Sequence, residues 1–267
     1  MMNQVKYNIE KFARCKFEVP KVYNSNHIIL ASFPKSGNTW VRFLLSNITN
    51  LSGEYYDEVT FHNIRYLSPE IRGNRELNGI KGINNFPIFL KTHFPYTYVF
   101  KKYKKVLLIR KPEDVMISYF IHLQEERGKV FSSFEKFLKH WRYGVPAWKY
   151  FHKSWLNKFD YILKYEDLIV SPEKEIKKLY KFFNIELDDD LLKKAIFLSR
   201  KDNMRKILQK YGDPMAKNKE FQFIRKATKG EGKSKLSKRD LEYIQRETNE
   251  IVKEIYEKIL INNVVGK

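Results

Sequence analysis

The chain has 267 residues, of which 43% are hydrophobic and 15% aromatic, enough to build one large α/β domain around a real core. Its single cysteine, Cys15, excludes an intrachain disulfide framework and a thiolate-built zinc site, and the expected location is a reducing cytoplasm. The formal net charge of +20 asks for an anionic partner, yet Lys and Arg are interspersed with Asp and Glu, and no helix-turn-helix, RNA-binding or Cys/His finger pattern accompanies them, so no specific nucleic-acid partner is expected.

The first residues, Met1 to Glu10, carry no apolar stretch behind their charges, so no secretory segment is expected, and no run reaches transmembrane length. There are no repeats, no low-complexity tract and no Pro/Gly/Ser linker, which predicts a single domain over 1–267. Short apolar runs alternate with helical patterns, the signature of an α/β fold with a central, mainly parallel sheet flanked by helices.

In chain order, the first predicted strand is His27–Phe33. It runs into Pro34-Lys35-Ser36-Gly37-Asn38-Thr39-Trp40 and then into the apolar-periodic stretch Val41–Ile48. A strand, a short Lys/Ser/Gly turn and a helix from Asn38 aim backbone N–H groups and one ammonium at an anion. The nucleoside-triphosphate loop places its Lys after a final Gly, whereas here Lys35 precedes the only Gly, so the cradle suits a different anion. Asn38 or Thr39 acting simply as a helix N-cap is the plainer alternative.

Strands are predicted next at Pro87–His93 and Lys105–Arg110, with a helix from Pro112 and helix through much of Phe131–Lys158. A fourth strand follows at Tyr161–Tyr165. Ser171 before Pro172 reads as the cap of a helix whose Ile176, Leu179, Tyr180 and Phe183 share one face. Ser237 with Asp240 is a capping-box-like start for a last helix of about 238–260, with an apolar stripe of Leu241, Ile244, Ile251, Val252, Ile255 and Ile259. In a parallel sheet, ligands lie beyond the carboxyl ends of the strands. Those ends carry Lys35, the run Lys91-Thr92-His93, Arg110 with Ser118 further along the next helix, and Tyr165-Glu166-Asp167.

These segments, in this order, resemble the cytosolic-type sulfotransferases. Phe33–Trp40 is similar to their phosphosulfate loop, usually Tyr-Pro-Lys-Ser-Gly-Thr-Thr-Trp, and Leu107–Tyr119 resembles their 3′-phosphate motif. Lys91-Thr92-His93 resembles the segment holding their catalytic His, and Arg225–Lys233 their late Arg-Lys-Gly loop. The matches span roughly 28–233. The resemblance implies a P-loop-like phosphosulfate turn and transfer of a sulfuryl group from 3′-phosphoadenosine 5′-phosphosulfate (PAPS) to a hydroxyl or amine, leaving the bisphosphate PAP and needing no metal. It implies catalytic roles for His93 as general base, Lys35 as leaving-group stabiliser and Lys91 on the sulfuryl oxygens. Donor contacts are implied at Lys35, Ser36, Gly37, Asn38, Thr39, Trp40, Arg110, Ser118, Tyr165, Ser199, Arg225, Lys226 and Ala227.

The chain departs from the pattern at Asn38, where Thr is usual, at Ala227, where Gly is usual, at Gly232 for Trp and at Arg200 for Phe. The resemblance implies a small-molecule or glycan acceptor. The polar, basic segment Phe61–Phe86 is read as an acceptor-side lid and Gln124–Trp148 as the opposite wall, with plain surface loop and helix packing as an equally open alternative. A nucleotide kinase-like phosphotransferase and a non-catalytic polyanion binder stand as alternatives.

Overall fold

The computed structural model describes residues 26–71, 86–214 and 236–265, with side chains as far as 258. Four strands form one sheet: β1 (His27–Ser32), β2 (Ile88–Thr92), β3 (Lys104–Ile109) and β4 (Tyr161–Lys164), in the order β2-β1-β3-β4. Every pairing is parallel, with Ala31 opposite Thr92 and Ser32 opposite Leu108. All four carboxyl ends therefore lie on one edge. Connections leave β1 toward β2 on one side and return to β3 on the other, which makes the β1 and β3 ends the crevice of the sheet.

Alternation along the strands sorts the core into two layers. Ile29, Ala31, Leu90, Leu107 and Ile109 pack on one face against Phe151, Trp155, Ile244 and Ile255. Ile28, Leu30, Phe89, Val106 and Leu108 pack on the other against Val41, Leu44, Ile176 and Leu179. Both faces are covered, as a parallel sheet requires, and the strands read as continuous apolar runs for that reason.

The first face is closed by α3 (Pro112–Glu125), α5 (Val145–Trp155) and α10 (Lys238–Val265). The second carries α1 (Asn38–Gly53), α7 (Pro172–Phe182) and α8 (Asp189–Leu198). The short α2 (Ile64–Leu67) and α9 (Lys201–Tyr211) enclose a third cluster, in which Phe43, Phe61, Ile64, Leu67 and Met204 meet. Strand ends differ from the sequence expectation by about a residue: Phe33, His93, Arg110 and Tyr165 already belong to the turns and helix that follow the carboxyl ends, and Pro87 precedes β2 at its other end.

Local expectations are met except at the start of α1. Helix does fill much of Phe131–Lys158, as α4 (Phe134–Leu138) and α5, which part where the chain turns at Gly144 against the Leu138 carbonyl, 2.2 Å from where a Cβ would stand, with Pro146 in the first turn of α5. The cap of α1 is Gly37, with no side-chain capping bond, rather than Asn38 or Thr39. Ser171 does occupy the cap of α7, but its hydroxyl makes no capping bond, and Pro172 supplies the start. At α10 the hydroxyl of Ser237 accepts from the Asp240 N–H at 3.1 Å, as expected of that box. Ile244, Ile251 and Ile255 of its stripe are buried, Leu241 and Val252 half-buried, and the Ile259 side chain lies outside the described residues.

Candidate active site

Lys35 has φ 68° and Gly37 φ 93°, so two left-handed residues flank Ser36 and fold the turn after β1 back under the start of α1. Lys35 pays a steric cost there that Gly37 does not. The ring of Tyr165 packs against Gly37 so closely that a Cβ would lie 2.2 Å from two of its carbons. Glycine is required at this position by conformation and by contact.

Several polar atoms here lack hydrogen-bond partners among the described residues. The hydroxyl of Ser36 is fully buried and unpartnered, as are Oδ1 of Asn38 and Nε of Arg110. The first turn of α1 contains no acidic residue and receives no side-chain cap. Two of these atoms, the Ser36 hydroxyl and Arg110 Nε, are donors, and with an uncapped helix start they suit a phosphate or sulfate group; Asn38 Oδ1 is an acceptor and adds nothing to that.

Arg110 leaves the end of β3 and spans the crevice. It donates from Nη1 to the Lys35 carbonyl at 3.1 Å, lies 4.7 Å over the centre of the Tyr165 ring, and comes within 3.9 Å of Asp114. The contact with Tyr165 and the bond to Lys35 hold the guanidinium in the crevice, with its Nε buried and without a hydrogen-bond partner among the described residues. Burial, partly offset by Arg110, raises the Tyr165 hydroxyl pKa, so the phenol stays neutral. Trp40 meets Tyr165 edge-on at 6.1 Å and donates from Nε1 to the Ser199 carbonyl at 3.0 Å. Trp40 therefore packs into the core and also walls the crevice. Ser118 stands half-buried on α3, two turns beyond Arg110.

Ser199 is corrected in its role. It is fully buried, its hydroxyl accepts from Asn47 at 3.0 Å and donates to the Ala195 carbonyl at 2.8 Å, so its backbone positions Trp40 while its side chain is not presented to a phosphate. Arg225, Lys226 and Ala227 lie outside the described residues.

His93 follows β2. Its Nδ1 is 2.7 Å from the Ser32 carbonyl, which accepts only, so Nδ1 carries the proton and Nε2 keeps its lone pair. The Ser32 hydroxyl lies 3.4 Å from the same nitrogen and accepts from Asn38 Nδ2 at 2.8 Å. Asn38, the residue that differs from the family loop, thus ties the start of α1 to the imidazole. Phe33, Pro34, Pro95, Tyr119, Trp141 and Tyr150 line a cleft with His93, and Arg142 enters it from the connection between α4 and α5.

Lys91 has a partner that sequence reasoning missed. Its ammonium is 3.1 Å from Glu70, held there by a short parallel bridge in which Ile71 donates to the Lys91 carbonyl and the Lys91 N–H to the Pro69 carbonyl. The expected lid is also corrected in part. Phe61, Ile64 and Leu67 are core, and His62 binds the Tyr211 carbonyl at 2.9 Å, so this stretch faces α9 instead of an acceptor. Arg72 and Arg75 lie outside the described residues. On the opposite side Trp141, Arg142 and Ala147 do line the cleft, in the expected wall.

A cradle for a tetrahedral anion beside a base of defined tautomer equips a protein for group transfer from an anionic donor to a protic nucleophile. Residues 25–259 match the model of the sulfotransferase domain family, and the chain belongs to that family. It is 28% identical to sulfotransferase 1E1 of Bos taurus over 82% of each chain. With sulfotransferase 1B1 of Canis lupus familiaris it shares 28% identity over 78% of this chain and 77% of that one. Its fold is similar to retinol dehydratase in complex with androsterone and the inactive cofactor PAP, with a TM-score of 0.67, 15% identity and coverage of 91% and 86%. A mouse sulfotransferase complexed with PAP gives a TM-score of 0.63 at 16% identity, covering 90% and 88%.

Proposed function

We propose that this sulfotransferase takes its sulfuryl group from PAPS and passes it to a hydroxyl or amine of a small molecule, within one catalytic domain and in the cytoplasm. The observation that carries this reading is the pairing of the unpartnered Ser36 hydroxyl and Arg110 Nε with an imidazole, His93, whose Nδ1 lies 2.7 Å from the Ser32 carbonyl. PAPS supplies an activated sulfur and a bisphosphate leaving group, and the residues present fit both of its ends.

Ser36, Thr39 and the first N–H groups of α1 hold the 5′ end, and Gly37 lets the backbone come close. Arg110 and Ser118 bind the 3′-phosphate, the former through its planar fork. Trp40 and Tyr165 hold the adenine. Arg225, Lys226 and Ala227, matched to the family's late loop, complete the phosphate contacts. His93 Nε2 takes the acceptor proton, a role open to neutral imidazole near pH 7. The Lys35 ammonium stabilises charge on the departing oxygen, and Lys91, released from or shared with Glu70, steadies the sulfuryl oxygens. The larger basic groove, about 810 Å³ between α7 and α8, offers a polyanion reading less support: Lys177, Lys178 and Lys193 there are already paired with acidic neighbours.

Calorimetry with PAP, ATP and 5′-AMP at physiological salt tests the donor site. PAP is expected to bind tightly, the other two weakly, and Arg110→Ala to abolish the difference. His93→Ala is expected to keep PAP binding and lose turnover, and Lys35→Ala to lose roughly hundreds-fold in rate. Equal binding of the three nucleotides would sink the reading.

A further inference from the structure

Among the described residues that line the cleft with His93, Arg142 is the one arginine or lysine, and no carboxylate stands with it. The rest of that lining is mostly aromatic, with Phe33, Tyr119, Trp141, Tyr150 and Phe151. In a chain of net charge +20 the sign of one more cation says little. Its place says more, because a charged fork set among aromatic faces, in the cleft that holds the base, is offered to whatever enters there.

The turn between α4 and α5 delivers it. The Arg142 N–H donates to Nδ1 of His140 at 3.1 Å, and the His140 carbonyl accepts from the Gly144 N–H at 2.8 Å. The His140 ring stacks on Tyr143 with centroids 4.9 Å apart, and Tyr143 meets Tyr119, itself a wall of the cleft, edge-on at 6.1 Å. Burial lowers the His140 pKa and Arg142 lowers it further, so Nδ1 keeps the lone pair that accepts the Arg142 backbone. The guanidinium lies 5.5 Å from the centre of the Tyr143 ring, and the residue is exposed.

We propose that the acceptor is a phenolic acid: its ring lies among these aromatic side chains with the reacting hydroxyl at His93, and Arg142 binds a carboxylate carried on a short tether. Aromatic faces suit a planar ring, and a guanidinium matches a carboxylate by two parallel N–H bonds. The donor makes such a cation necessary. Phe33 and Pro34 line the cleft and run directly into Lys35, so the acceptor lies next to an anionic donor and its own negative charge is repelled unless a cation stands beside it. Arg142 supplies that cation on the acceptor side and is thus a specificity residue, reading the acceptor's charge.

This inference rests on the sulfotransferase reading, and the experiment separates the two. PAP binding is measured first by calorimetry. With PAPS as donor, kcat/KM is then compared for 4-hydroxyphenylacetate, its neutral amide 4-hydroxyphenylacetamide and the cationic tyramine. The carboxylate is expected to exceed the amide by about tenfold, mainly through KM, with tyramine behind both and the preference shrinking at high salt. In Arg142→Gln the ratio of carboxylate to amide is expected to fall to about one, and in Arg142→Lys to be kept in part. Arg142→Glu is expected to reverse the order in favour of tyramine. Taking ratios cancels any general loss of folded enzyme. A wild-type enzyme that does not favour the carboxylate, or a ratio unchanged in Arg142→Gln, overturns the inference alone. PAP binding without sulfation of any of these phenols overturns it as well and leaves the donor site standing. Absence of PAP binding overturns the reading beneath it and the inference together.

Discussion

Replacing Gly37 with alanine tests the geometry on which the donor site depends. The added Cβ would lie 2.2 Å from Cδ2 and Cε2 of Tyr165, whereas carbon atoms in contact sit roughly 3.5–4.0 Å apart, so the ring has to withdraw by more than ~1 Å. It cannot do so alone, because Arg110 lies over its face and Trp40 meets its edge. The left-handed backbone costs alanine about 1–2 kcal/mol, and overpacking adds about 1–3 kcal/mol, for a total of about 2–5 kcal/mol. Gly128→Ala is the control: φ is +59° there, but nothing lies within 4 Å of the added carbon, so only the backbone cost of about 1–2 kcal/mol applies. Denaturant unfolding of both variants separates the two contributions, and PAP calorimetry reads the displacement of Arg110 and Trp40 as lost affinity. If Gly37→Ala unfolds like Gly128→Ala and binds PAP like wild type, the contact between the loop and Tyr165 does not organise the donor site.

Two other outcomes follow from buried groups. His152 is fully buried and burial lowers its pKa to about 4, against the 6.5 of an exposed imidazole, with only the Trp148 carbonyl at 2.9 Å opposing the shift. Below pH 6.5 the unfolded chain takes up a proton that the folded chain refuses, so this stability is complete above pH 6.5 and falls away toward pH 4, by about 3 kcal/mol in all. Denaturation midpoints measured across that interval are expected to decline less steeply in His152→Gln; equal slopes would refute the assignment. Asn38→Ala removes the buried bond to Ser32 and is expected to lower kcat about tenfold through the position of His93, with a smaller change in PAP affinity. A loss confined to PAP affinity would place Asn38 in the cradle alone.

The sheet and its helices were legible because both signals are local. Apolar runs of strand length and 3.6-residue stripes do not depend on distant partners, and parallel strands buried on both faces display them strongly. The break at Gly144 was harder to see, since it depends on where the Leu138 carbonyl comes to lie, and periodicity across Phe131–Lys158 carries no trace of that crossing. The lid failed for a similar reason: Phe61, Ile64 and Leu67 are too few and too short a run to declare themselves core, and the cluster they join with Met204 forms only when α9 folds over them.

Residue types at strand ends named the anchors of the site, while the partners that set their behaviour come from far along the chain. The tautomer of His93 is imposed by a carbonyl 61 residues earlier. Arg110 lies over the ring of Tyr165, and the charge on Lys91 is met by Glu70. Asn38 illustrates the difference most clearly. As a departure from the family loop it reads as a tolerated change at a backbone contact, yet in the fold its amide holds the serine that neighbours the base. The turn after β1 and the imidazole of His93 are thus joined by a side chain whose importance depends on Ser32 and His93 being brought to the same strand end, and parallel registration of β1 with β2 is what brings them there.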